Sequence, residues 1–171
     1  MVPERGINAV SRAMHLLSAL GEKLDCHSFA ASYEKYIADD YTGGLLGCAC
    51  SDKESGALTF NPGKITLENN DVKILAGIRY PVRKKYETFA TCIKAVAEKM
   101  HCECKIIDHM SPIYFKRDDE VVVLLEKAYR DVTGDDVNQP FTVGAATFAR
   151  TLPNTVAFGP IFPEQEEMSH L

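Results

Sequence analysis

No apolar stretch in the sequence approaches the ~18 residues that a membrane-spanning helix needs, and no charged, apolar, small-residue leader opens it. A membrane or exported protein is therefore not expected, and cytoplasmic residence is. Basic runs are equally scarce: none is longer than Arg83-Lys84-Lys85, and 19 Lys and Arg against 24 Asp and Glu leave a formal charge of −5. That balance lacks the electrostatic footprint of nucleic-acid binding, so no polyanion partner is expected. The phosphate-cradling loops G-x-x-x-x-G-K-[ST] and G-x-G-x-x-G are missing, as are an H-E-x-x-H pair and any local Ser-His-Asp or Cys-His signature. Nucleotide chemistry has no support. Internal repeats and low-complexity segments are also absent.

What is present suffices for a folded protein: 171 residues, 46% of them hydrophobic, supply a core of ordinary size. The six cysteines admit two readings. Without signs of export they are small reduced residues, because compartment decides disulfide formation. Alternatively, Cys48-Ala49-Cys50 pairs with His101-Cys102-Glu103-Cys104 in a structural zinc site, since both thiols of a C-x-C segment face one side of a strand.

Periodicity predicts the elements. Ile7, Val10, Met14, Leu17 and Leu20 recur at helical spacing between Gly6 and Gly21. A second helix is expected over Ser28–Ala38, opened by a capping residue. From Leu58 to Pro81 the pattern turns to short runs separated by Asn61-Pro62-Gly63 and Asn69-Asn70-Asp71, which reads as an antiparallel meander. A helix over 86–100 and a strand over 104–108 would complete a sheet with helices on one face, an α+β ferredoxin-like unit. Beyond it, the pattern predicts a helix over 118–133 ending at Gly134, another over 142–152, and a short strand over 155–158.

Several blocks, in order, carry a family resemblance. Pro3-Glu4-Arg5-Gly6-Ile7-Asn8-Ala9 opens the chain. Ser55-Gly56-Ala57-Leu58-Thr59-Phe60-Asn61-Pro62-Gly63 precedes Ile78-Arg79-Tyr80-Pro81-Val82, and Ser111-Pro112-Ile113-Tyr114-Phe115 follows. Near the end come Val143-Gly144-Ala145-Ala146-Thr147-Phe148-Ala149-Arg150, Asn154-Thr155-Val156-Ala157-Phe158-Gly159 and His170. Together these resemble the zinc-dependent Xaa-His dipeptidases, the dipeptidase V and carnosinase-like branch of the aminoacylase and carboxypeptidase-type metallopeptidases. The first block looks like the tail of the motif His-x-x-x-Pro-Glu-x-Gly-x-Asn-Ala, whose His would fall just before Met1.

The resemblance implies a C-terminal part of a longer enzyme: residues 1–112 would be part of a lid domain and residues 113–171 part of the catalytic domain. It implies dipeptide substrates, two zinc ions in the parent enzyme, and no activity or tight zinc binding in this chain alone, because a zinc site needs three or four ligands. Arg79 would grip the substrate's terminal carboxylate, a task that suits a forked, permanently charged guanidinium. Gly144, Ala145, Thr147 and Arg150 would line the substrate, and His170 would be a metal ligand. Two alanines stand where the family usually has glycine, so the 144–147 turn reads equally as a small-residue helix start. The general base and the remaining zinc ligands have no counterpart in this sequence. A different class of function, a stand-alone α+β binding or oligomerisation module, is the alternative, and oligomeric state is open.

Overall fold

Asn8 starts a helix: its side-chain Oδ1 accepts the Ser11 amide at 3.0 Å, satisfying one of the donors a helix start leaves unpaired. Helix α1 (Ala9–Ala19) follows in the computed structural model, which describes residues 3, 6–69, 71–141, 147–159 and 162. Gly21, at φ 69°, turns the chain out of it. Helix α2 (His27–Tyr36) begins one residue before the Ser28 start that the sequence suggests, with Cys26 as a cap that makes no side-chain bond.

The two helices meet through a buried polar pair. Ser11 and Tyr33 are both 0% exposed, their hydroxyls lie 2.9 Å apart, and Ser11 Oγ also donates to the Ala38 carbonyl at 3.1 Å. Those bonds hold Ala38 at φ 36°, a left-handed conformation that an alanine adopts only under constraint.

Strands β1 (Ser51–Asp52) and β2 (Gly56–Ala57) form a minimal antiparallel ladder, and β3 (Thr59–Glu68) pairs antiparallel with β4 (Asp71–Arg79) in a hairpin. Asn61-Pro62-Gly63 is not the turn its composition suggests. It lies inside β3 as a bulge, where the register slips between Pro62 and Lys64. Phe60 pairs with Ile78 before the slip and Ile65 with Ile74 after it, so the extra residue brings Ile65 onto the face that Phe60 occupies.

Helix α3 (Tyr86–Lys99) turns Phe89 and Val96 into the same core as Met14, Tyr33, Leu58 and Phe60. The strand expected over 104–108 is not formed. Burial alternates only as far as Cys104, and from Lys105 to Ser111 every residue is exposed, so no second face exists to pack. Fold class is nevertheless α+β, with helices flanking short antiparallel ladders. Among the described residues, no helix is long and apolar enough to cross a membrane.

By contact the chain divides into two units, Met1–Pro112 and Ile113–Leu171. The second contains helix α4 (Glu120–Thr133), closed by Gly134 at φ 69°. Its Tyr129 hydroxyl donates to Asp135 at 2.8 Å. Asp135 also accepts the Asn138 amide and side chain, and these bonds hold its carboxyl well below the usual range. The helix read over 142–152 reduces, within the described part, to a single 3-10 turn at Phe148–Thr151. Residues 155–158 are not a strand, since the described part of this unit offers no second strand to pair with.

Leu58 is 1% exposed and Leu67 73%. Leu58→Ala is expected to lower the unfolding free energy by about 2–5 kcal/mol, and Leu67→Ala to leave it within about 0.5 kcal/mol. Urea denaturation of the full chain checks this, and equal losses would contradict the placement of the core.

Candidate functional site

Three of the blocks that carry the resemblance converge in the first unit. The Asn8 side-chain amide donates to Asn61 Oδ1 and to the Pro62 carbonyl, both at 2.9 Å, which ties the first block to the bulge of β3. Between them opens a cleft of about 350 Å³ lined by Pro3, Gly6, Ile7, Asn8, Asn61 and Gly63. The hairpin register then sets Asn61 opposite Gly77 and Thr59 opposite Arg79. Cross-strand partners share a face, so Asn61 and Arg79 lie on one side of the hairpin with Gly77 between them. A Cβ on Gly77 would meet nothing within 4 Å, so this face is open beside Arg79, whose residue is exposed.

The chain just beyond Arg79 is held from two sides. Ser55 Oγ accepts the Val82 amide at 3.0 Å, and Asp52 accepts the Arg83 amide at 2.9 Å and the Ser55 amide at 2.6 Å. Burial works against the charge on Asp52, but the amides of Arg83 and Ser55 and the Ser55 hydroxyl outweigh it and hold the carboxyl below its ordinary value. On the other side, the Tyr80 hydroxyl is 2.7 Å from His109 Nε2, and the His109 ring stacks on Tyr86 at 3.7 Å between centroids. Tyr80 also packs on Phe89 at 4.9 Å, which carries the aromatic cluster into the core. Arg79 thus ends a strand whose continuation is fixed by both polar and aromatic contacts.

The other proposed site residues belong to the second unit or lie outside the described residues. Thr147 caps the 3-10 turn, its Oγ1 accepting the Ala149 amide at 3.3 Å, and the half-buried Arg150 follows on that turn. Gly144, Ala145 and His170 fall outside the described residues. Among the described residues, no group of three or more His, Cys, Asp or Glu side chains is arranged to hold a metal ion. The pairing of Cys48 and Cys50 with His101, Cys102 and Cys104 is therefore not assembled, and the described residues do not by themselves fit zinc. Cys48 lines a cleft with Cys50 and Cys92, while Cys102 donates to the Met100 carbonyl at 3.3 Å.

Several residues that matter here escaped the sequence reading. Asn8 carried a signal: a capping residue directly before an apolar period. His109 and the His15 cluster carried none, because their partners are remote in sequence. His15 Nδ1 lies 2.7 Å from Glu34 and its Nε2 2.9 Å from Asp39. The imidazole links α1 to Glu34 of α2 and to Asp39 just beyond it, and so acts as a clamp between them. The bond from Asp39 raises the His15 pKa, burial opposes it, and Glu34 adds to the rise; the same bond lowers Asp39.

Stability from a raised His is present in full below its unfolded value of 6.5 and fades as pH climbs through the folded value. Stability from a lowered Asp is present above 3.8 and fades as pH falls through its folded value. The clamp is accordingly strongest between those two limits. The melting temperature should fall as pH rises above 6.5, and His15→Gln should flatten that decline; an unchanged slope in the variant would remove His15 as its source.

No family model matches the chain. It is similar along its length to a protein of Staphylococcus saprophyticus strain ATCC 15305 named "Putative dipeptidase", with 32% identity over 171 residues, 99% of this chain and 36% of that protein. Proteins of the same description from Staphylococcus aureus strains MW2 and USA300 are 29% identical over the same share of each. The chain thus spans 36% of the length of these relatives.

Proposed function

We propose that this chain is the carboxylate-gripping part of a longer zinc-dependent dipeptidase, in which Met1–Pro112 serves as lid and Ile113–Leu171 belongs to the catalytic domain. The observation that carries the reading is the similarity of 99% of this chain to part of proteins named as dipeptidases, joined to the way Arg79 is presented. It stands at the end of β4, on an open hairpin face, with the following turn fixed by Asp52, Ser55 and His109.

In this reading Arg79 forks two N–H donors onto the substrate's terminal carboxylate, which selects short peptides with a free C-terminus and fixes the scissile bond at a set distance from the clamp. Thr147, Arg150 and the 144–145 backbone line the substrate, and His170 joins ligands from the rest of the longer protein. Zinc there would supply an activated water for amide hydrolysis. The 171-residue chain alone carries neither the general base nor a full ligand set and is inactive in this reading. The closed core of Met1–Pro112 also favours a second reading, a stand-alone binding module, which predicts no hydrolysis in any context.

In the longer protein, Arg79→Ala is expected to reduce kcat/KM for a free dipeptide by roughly 10- to 150-fold, the equivalent of losing a charge-assisted contact of about 1.5–3 kcal/mol. A dipeptide amide, which has no terminal charge, should lose far less. Equal losses for both substrates, together with a lowered melting temperature, would make Arg79 structural and end the clamp.

A further inference from the structure

Three of the six cysteines line one cleft that the proposed peptidase reading does not use. It measures about 190 Å³ and is bounded by Gly47, Cys48, Cys50, Lys84, Thr88 and Cys92. Cys92 projects from α3, and its Sγ donates to the Gly47 carbonyl at 3.7 Å, the peptide group that joins Gly47 to Cys48. Helix and loop are thereby in contact beside Cys48, which lines the same cleft as Cys92. Cys48 is 7% exposed and held tightly: a Cβ built on Gly43, at φ +77°, would come within 3.2 Å of its sulfur. Cys92 is half-buried on the same cleft, so the two thiols differ in access.

We propose that Cys48 and Cys92 are a thiol pair that exchanges with a low-molecular-weight disulfide and closes a reversible cross-link between the 43–50 loop and α3. The more accessible Cys92 reacts first. Its thiolate attacks one sulfur of R–S–S–R, a Cys92–S–S–R bond forms, and the departing RS⁻ takes up the proton that Cys92 gave up. Cys48 then attacks the Cys92 sulfur, the mixed disulfide breaks, and the second RS⁻ leaves with the Cys48 proton. In net terms two protein thiols are oxidised and one R–S–S–R is reduced to two RSH.

Burial, with Cys92 and Cys50 alongside, pushes the Cys48 thiol up to about 11, which suits it to the second, intramolecular step rather than to attack on a reagent from solution. The ammonium of Lys84, on the cleft lining, offers a counter-charge to an anionic disulfide such as glutathione disulfide. The three thiols are not arranged as a ligand set for a soft metal.

The test treats the full 171-residue chain with glutathione disulfide at neutral pH, quenches with acid, alkylates under denaturing conditions and maps peptides by mass. The expected result is a Cys48–Cys92 peptide with the other cysteines alkylated, reversed by dithiothreitol. Closing the intervening loop should also raise the melting temperature by roughly 10 °C. Six alkylated cysteines, a lasting mixed disulfide on Cys92, or a cross-link through Cys50 would each overturn the proposal.

Discussion

The first unit depends on one side chain. Asn8 caps α1 through its oxygen and reaches both Asn61 and the Pro62 carbonyl through its nitrogen, so a single amide joins a helix start to a strand bulge. A buried or half-buried amide with all of these groups engaged is hard to move, because breaking any one bond strands a desolvated partner. Everything downstream inherits that fixed point: the bulge sets which residues of β3 face the core, and the hairpin register sets what stands opposite them.

That inheritance runs to Arg79. Thr59 lies two residues before Asn61 and pairs with Arg79, so the anchored bulge and the exposed guanidinium are separated by one step along a regular ladder. Behind the ladder, Leu58 and Phe60 enter the core with Met14 and Tyr33; ahead of it, the Tyr80 hydroxyl meets His109 and the Val82 amide donates to Ser55. The carboxylate clamp proposed for Arg79 draws on this setting, because a charged group held on a strand end loses little conformational freedom when it binds.

Helices α1 to α4 were legible in the sequence because their apolar spacing is strong, with Gly21 and Gly134 marking two of their ends, whereas the helix read over 142–152 lacks such a marked period and is, in the described part, a 3-10 turn. The hairpin was legible too, except where Asn61-Pro62-Gly63 imitated a turn; only the distant Asn8 reveals that these residues are wanted as a bulge. The strand at 104–108 failed because its alternation of residue types is not backed by a face to bury, a fact about three-dimensional neighbours. For the candidate site, Arg79 is proposed through motif resemblance rather than chemistry, since a lone arginine at a strand end has no signature. His109, His15 and the Gly47–Cys92 contact join residues 29 to 45 positions apart or couple separate helices, and no local pattern encodes them.

In the proposed function this segment completes a metal site and a substrate clamp within one longer dipeptidase. The zinc content of that longer protein, purified with and without His170→Ala, decides whether it does. Bound zinc in the parent and a clear loss of zinc and of dipeptide hydrolysis in the variant is the predicted result. Identical zinc content and undiminished hydrolysis in the two proteins would contradict it.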